Sequence, residues 1–326
     1  MMTLLNNKKE FFQCTQGFEY VPFTQTQGWY DFNECERPGR VIFLADRAEQ
    51  PCIACFAHIK RKAGLKMLLI EGECLRYKEY NSKLITSFYK AILKLGYDIV
   101  EVNSLLRYNP IYEIGIRQAG LLRPVGLFSM HLSKWIDLTK PIQYNSNWKR
   151  NIKKSLNKQL SFLPVSSPTH EDVERFVSLY QELRKDKKIS HQLNVSQINR
   201  LLASGEFKLF AVTNEKGEWI AAIIIHLVQK HGGLLYACKN SDALETGATF
   251  FMYDRVFAWL SQLGTETFDM EKLLPSTHST EGVFLFKEGV KGEHVTYCGE
   301  WSLYRKSYLR PLMYLVKKYL FKRMEV

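Results

Sequence analysis

The sequence predicts an α+β (mixed α/β) chain made of two tandem copies of one domain, each a mostly antiparallel sheet flanked by helices. Three observations predict it. A chain of 326 residues with 46% apolar content can bury enough core for two domains. Laid over itself at an offset of 168, residues 41–64 fall on residues 209–232. Ala54 then meets Ala222, His58 meets His226, Lys62 meets Lys230, Gly64 meets Gly232 and Leu95-Gly96 meets Leu263-Gly264. Third, both halves repeat one order of elements: strand, polar turn, strand, turn, strand, loop, helix, strand.

In the first half the strands are "RVIFLAD", "CIACFAHIK" and "KMLLIEG", separated by a charged turn and by a basic turn that ends at Gly64. Leu84, Phe88 and Ile92, with Ile85 and Tyr89 beside them, form one apolar helical stripe, and the strand "DIVEV" follows. Their counterparts are "FKLFAVT", "WIAAIIIHLV", "GLLYACK", a helix carrying Met252, Val256 and Leu260, and the strand "TFDM". Strands in a central antiparallel run with helices packed over them indicate the class. The proline and polar residues of "LTKPIQYN" set the expected division, with one domain over 1–142 and a second over 143–302.

The second domain opens with "NWKRNIKKSLNKQLSF". Trp148, Ile152 and Leu156 fall on one face of a helix and Lys149, Arg150, Lys153, Lys154 and Lys158 cover much of the rest, giving a basic bridging helix over 143–160. Such a helix is either a solvated surface element or a contact for phosphates. The net charge of +12 favours an anionic partner: nucleic acid, a phosphorylated small molecule or a membrane face. Seven scattered cysteines do not make a disulfide framework, and Cys52 and Cys55 lack a second pair at metal-binding spacing, so they are read as strand-core thiols and no metal is expected. No stretch reaches the roughly 20 apolar residues of a membrane span and no signal peptide is read at the start, which gives a cytoplasmic expectation.

The duplicated core, the bridging "WKRNIKK" helix and the later "FDMEK…GVFLFKEGV" segment together resemble the FemAB/FemX family over nearly the whole chain, from "FTQTQGWYDF" to "YCGEW". The resemblance implies two tandem domains of the GNAT acyltransferase fold and transfer of an aminoacyl group from aminoacyl-tRNA to an amine of a peptidoglycan precursor. Relatives of the fold use acyl-CoA. The implied donor is therefore aminoacyl-tRNA or acyl-CoA, with no tightly bound cofactor, and the acceptor an amine-bearing cell-envelope precursor. Phe23, Gln25 and Trp29 match the family's early pattern, which implies substrate contacts for Gln25 and Trp29, while Asn33 stands where a nucleotide-binding lysine is expected. The segment between Glu171 and Phe207 is too short for the helical-hairpin arm of some members, and "KNSDALETGATFFMYD" offers only Gly247 where a pyrophosphate loop would have spaced glycines.

The resemblance also places Phe286 and Lys287 of the "FKEG" stretch, beside turns at Gly289 and Gly292, at the catalytic cleft. A fixed cation there would stabilise the negative charge that builds on a carbonyl oxygen under attack by an amine. In the first repeat Gln118 falls opposite Lys287, so a single active site is expected, in the second domain. Strand alternation puts Asp269 and Glu271 on one face, placed to bind or deprotonate the amine. His278 in the next loop has the pKa range for proton transfer, and Lys149, Arg150 and Lys153 would hold donor or acceptor phosphates. His58 and His226 are read as matched core residues. Residues 303–326 read as a basic amphipathic helix that packs on the second domain or lies on an anionic inner membrane surface. Two other readings stand beside aminoacyl transfer: an acyl-CoA-dependent acetyltransferase of a surface sugar or small amine, and a non-catalytic module for RNA or anionic lipid.

Overall fold

The computed structural model describes residues 2–35, 39–125, 132–187, 191–273 and 281–320. In the first half of the chain come β1 (Thr3–Leu5), α1 (Lys8–Thr15), α2 (Gln27–Glu34), β2 (Val41–Ala45), β3 (Ile53–Lys62), β4 (Leu65–Glu71), β5 (Cys74–Leu75), α3 (Ser82–Leu93), β6 (Ile99–Arg107) and α4 (Pro110–Gln118). The β3–β4 hairpin turns on Ala63 and Gly64, both at positive φ, the geometry that suits a two-residue connection between twisted strands. The Asn81 side chain accepts the Leu84 N–H to start α3, which buries Ile85, Phe88, Tyr89 and Ile92 and stops before Gly96 at φ +79°. After that helix β6 returns parallel to β4, Met67 opposite Ile99 and Ile70 opposite Val102.

The second half holds β7 (Leu132–Asp137), α5 (Ser146–Leu156), β8 (Ser161–Val165), α6 (His170–Lys187), α7 (Val195–Ala203), β9 (Phe207–Thr213), β10 (Trp219–Val228), β11 (His231–Lys239), α8 (Asp242–Thr246), α9 (Ala248–Gln262), β12 (Thr267–Asp269) and α10 (Glu281–Glu288). The chain ends in β13 (Glu293–Tyr304) and α11 (Leu309–Leu315), which passes into a π-helical turn at Val316–Leu320. Strands β9, β10 and β11 form an antiparallel meander, and β12 lies parallel to β11, as β6 does to β4. The near-continuous apolar run of β10 reflects helices on both faces: α9 covers one side and α6 the other.

Two compact units result, and they interleave along the sequence instead of meeting at residue 142/143. Residues 1–30, 36–131 and 296–326 belong to one, and residues 31–35 and 132–295 to the other. The reason lies in the last strand of each repeat. β7 follows the first repeat in sequence but pairs antiparallel with β12, Phe268 opposite Ile136, and so completes the second unit's sheet. β13 follows the second repeat but pairs antiparallel with β6, Trp301 opposite Val102, and completes the first. Residues 303 and 304, expected to be helical, are the end of β13, and the terminal helix begins at Leu309.

The first unit has an apolar core under α3 and α4, with Leu68, Val100, Tyr112 and Trp301, and a second on the other face built from Phe11, Phe18, Tyr30, Phe43 and Phe56. Glu73 is fully buried beside the first core and accepts hydrogen bonds from the hydroxyls of Tyr89, Tyr112 and Ser104. Burial raises its carboxyl to about 7, although the Tyr112 and Ser104 hydrogen bonds pull the other way. The folded state therefore holds a proton that the unfolded chain has lost above its ordinary value of 4.5, and stability falls as pH rises from there through 7. Glu73→Gln should remove this dependence and raise the unfolding free energy at pH 8 by about 3 kcal/mol, with little change at pH 4. Urea titrations at the two pH values check it.

The seven cysteines are free thiols; Cys55 is a buried residue of β3, whereas Cys52, also buried, lies in the bend just before that strand begins. His58 and His226 lie buried at matched positions of β3 and β10. Burial, with His231 adding to it, lowers His226 to about 3 and keeps it neutral.

Candidate active site

The site is built on one end of the second unit's sheet. β7 and β12 run side by side, and Met270 N–H donates to the Lys134 carbonyl just past the pairing. There the chain leaves the strand: Glu271 stands at φ +59°, a conformation a non-glycine residue adopts only when its surroundings hold it. Asp269 does the holding. Its Oδ1 accepts the Glu271 N–H at 2.8 Å and the hydroxyl of Ser133 on β7. Asp269 and Glu271 do come together, but through a side-chain-braced turn and not through strand alternation, because the strand ends at Asp269.

Lys287 lies in the last turn of α10 and is only 6% exposed. Its Nζ donates to the carbonyls of Glu271 at 3.1 Å and Lys272 at 2.8 Å. An ammonium has three N–H donors, so these two bonds leave one for another acceptor. Burial lowers its pKa to about 8, while the carboxylates of Glu271 and Asp269 pull it back up. For Glu271 burial acts in the opposite direction and raises the carboxyl, the Asp269 charge raises it further, and Lys287 opposes both. The arrangement is a buried cation held by two backbone carbonyls, with the Glu271 and Asp269 carboxylates close enough to act on it and burial favouring the neutral form of Glu271.

Phe286, an aromatic residue expected to touch substrate, anchors α10 instead. Phe286 packs in a cluster with Trp148 at 4.7 Å between ring centroids, Phe250 at 5.1 Å and Tyr253 at 5.1 Å, and its carbonyl accepts the Trp148 indole N–H at 2.7 Å. Its side chain positions Lys287 and is spent on packing. Gly289 is required here, since a Cβ would come within 2.1 Å of the Trp148 ring. Gly292 passes equally close to the Trp135 carbonyl, 2.4 Å from where a Cβ would be.

Trp148 belongs to α5, so the bridging helix and α10 are tied together. α5 starts with the Asn145 side chain accepting the Trp148 N–H, and packs on α9 where Gly247, left-handed at φ +76°, lets the Asn151 carbonyl approach. Lys149, Arg150 and Lys153 are exposed on the outer face, with Arg150 bonded to the Asn147 side chain. Leu156, expected on the buried face with Trp148 and Ile152, is 60% exposed, and Ser155 is buried in its place.

Gln25 and Trp29 belong to the first unit and serve its fold. Gln25 is 1% exposed; its Nε2 donates to the carbonyls of Phe56 and Glu71 and its Oε1 accepts the Phe56 N–H, which ties β3 to the end of β4. With those bonds made, its amide is not free for substrate. Trp29 donates its indole N–H to the Glu71 carboxylate at 3.1 Å. His278 lies outside the described residues.

Two groups were missed by the sequence reading. Ser133 braces Asp269, and Lys134, 3% exposed, pairs with Glu288 at 3.0 Å while His294 meets the same carboxylate at 2.8 Å. Burial pushes the Glu288 carboxyl up, but the hydrogen bonds from His294 and Lys134 win and hold it below its ordinary value. Ser133 and Lys134 sit on β7, whose pairing with β12 no local pattern announces.

The fold and the site define a double-GNAT architecture with its charged cluster in the second unit. A crystal structure of FemX superposes with a TM-score of 0.78 at 9% identity, covering 96% of this chain and all of that one. The C-terminal domain of a putative lysylphosphatidylglycerol synthetase from Agrobacterium fabrum gives 0.64 at 12% identity, with 96% and 97% coverage. A tandem GNAT protein from the clavulanic acid biosynthesis pathway gives 0.51 at 10% identity, with 93% and 98% coverage. The chain thus has the FemAB-like double-GNAT fold. No protein-family model matches its sequence, and a search of curated proteins finds no significant match.

Proposed function

We propose that the protein is an N-acyltransferase of the FemAB type, with one active site, in the second unit. The observation that carries this is the buried Lys287, held by the Glu271 and Lys272 carbonyls within the field of the Glu271 and Asp269 carboxylates, at a place where the first repeat has Gln118. In the reaction the lone pair of a neutral acceptor amine attacks the carbonyl carbon of an ester or thioester. The bond to the ribose oxygen or thiol sulfur of the donor breaks, and the amide forms. Lys287 stabilises the charge on the carbonyl oxygen, and Glu271 accepts the amine proton and passes it to the departing oxygen or sulfur, which regenerates the carboxylate. Asp269 is a positioning residue that fixes the Glu271 backbone and raises its basicity. Lys149, Arg150 and Lys153 give an exposed basic face suited to donor phosphates. The favoured donor is aminoacyl-tRNA, the favoured acceptor an amine of a cell-wall or cell-surface precursor, and the place of action the cytoplasmic side of the envelope.

Separate incubations with charged tRNA and with acetyl-CoA, each with an amine acceptor, test the class and the donor. Consumption of charged tRNA that depends on Lys287 is the expected result. Consumption of acetyl-CoA alone would move the protein to the acetyltransferases, and consumption of neither, with RNA or lipid binding intact in Lys287→Ala, would make it a binding module.

The pH profile separates the two carboxylates. Glu271 must lose its proton to act, so kcat/KM should rise with pH through a midpoint well above the ordinary carboxylate value. Glu271→Gln should lower the rate about a hundredfold and flatten that limb. Asp269→Asn removes a like charge, so the midpoint should move down while the limb persists. An unchanged profile in Glu271→Gln would remove that residue from the mechanism.

A further inference from the structure

The terminal helix leaves bare the face that a packed helix would bury. Leu309, fully buried, and the half-buried Val316 are its seam to the first unit. Arg310 adds a hydrogen bond to the Arg123 carbonyl at 3.2 Å, and Lys317 lies near enough to oppose the upward shift that burial gives Glu101. Beside that seam Tyr308, Leu312, Leu315 and Tyr319 recur at i, i+4, i+7 and i+11, one stripe of the helix, and they are 55%, 43%, 48% and 67% exposed. The ammonium of Lys318 sits 5.4 Å from the Tyr319 ring and 6.0 Å from that of Tyr314.

We infer that this stripe is an interfacial anchor that lies in the plane of an anionic membrane surface. Three features point to a lipid surface. The described stretch of helix from Leu309 to Leu320 is about 18 Å long, shorter than the roughly 30 Å hydrocarbon core of a bilayer, so it fits lying in a headgroup region. No helix among the described residues is long and apolar enough to cross a membrane. Leucines flanked by tyrosines match the apolar-to-wet gradient of an interface, where Tyr and Lys keep polar tips in the headgroups and bury their stems. Charge selects the partner: residues 303–326 carry Arg305, Lys306, Arg310, Lys317, Lys318, Lys322 and Arg323 against the single acid Glu325. A second copy would bring the same cations face to face, whereas an anionic leaflet neutralises them. An RNA would use the cations but gives no reason for two exposed leucines in the stripe. The inference goes beyond the proposed reaction, and neither depends on the other.

The test is co-sedimentation of the full chain with extruded phosphatidylcholine vesicles, with and without phosphatidylglycerol. Binding is expected only to the anionic vesicles and should weaken with salt. Leu312→Asp with Leu315→Asp should lower the partition coefficient more than about tenfold, since the site loses two apolar contacts and gains two charges. Lys318→Ala should lower it about fivefold. All three positions are exposed, so melting temperatures should stay unchanged and separate lost binding from lost fold. Failure to bind anionic vesicles overturns the inference, as does binding that both variants retain. It is also overturned if the stripe variants change only tRNA binding, or only a concentration-dependent dimerisation seen by sedimentation equilibrium.

Discussion

Replacing Lys287 with methionine is expected to lower kcat/KM for acyl transfer by between about a hundred- and a thousandfold, the range seen when one preorganised donor to a developing oxyanion is removed. Methionine keeps the buried stem of the side chain, so α10 should stay in place. What disappears is the cation and its hydrogen bonds to the Glu271 and Lys272 carbonyls. The loss should appear mainly in kcat, because the charge on the oxygen exists only in the transition state. A second consequence has a definite sign. Lys287 opposes the upward shift of Glu271, so its removal should move the acid limb of the pH profile to higher pH. Kinetics on Lys287→Met and Lys287→Arg check both points, arginine restoring the limb more than the rate because a planar guanidinium does not reproduce the ammonium's geometry.

Trp148→Ala carries the largest expected cost in stability, about 3 to 5 kcal/mol for truncating a fully buried aromatic residue. The ring stacks on Tyr144 at 5.1 Å, meets Phe250 edge-on at 5.1 Å and packs on Phe286 at 4.7 Å. Its indole N–H satisfies the Phe286 carbonyl, which the substitution would leave without that donor. Because Trp148 is the contact through which α5 holds α10, the variant should also lose activity beyond what its folded fraction explains. Trp148→Phe keeps most of the packing and loses the hydrogen bond, so it should fall between, at about 1 to 3 kcal/mol. Denaturant unfolding of both variants, with activity normalised to the folded fraction, is the check.

Much of the fold is legible in the sequence because its signals are local. The glycines of the matched Leu-Gly pairs sit at φ +79° and +76° after α3 and α9, so the repeat in sequence marks a repeat in backbone geometry. The apolar run in "RVIFLAD" and the stripe through Ile85, Phe88 and Ile92 likewise need only their neighbours. The exchange of β7 and β13 is not local. A strand's pattern says that one face is buried, not which strand pairs with it, and proximity in sequence points here to the wrong sheet.

The same limit explains the site. Asp269, Glu271 and Lys287 stand out in the sequence because they are charged residues near a strand end and in a distinctive segment, but what holds them is not visible there. Ser133 braces Asp269 from 136 residues away. Phe286 next to Lys287 looks like a ligand-facing aromatic until Trp148 is seen against it. Gln25, within a pattern that suggested substrate contact, is committed to backbone on two strands. In each case the residue type was informative about chemistry, and only the tertiary partner decided whether that chemistry is free for use.

The account is tested most directly by a crystal structure of the protein with a donor stand-in, an aminoacyl-adenosine whose reactive ester is replaced by an amide. The account predicts its carbonyl oxygen about 3 Å from Lys287 Nζ, with the Glu271 carboxylate on the side open to an incoming amine. A carbonyl bound instead in the first unit, or bound in the second with Lys287 turned away from it, would contradict it.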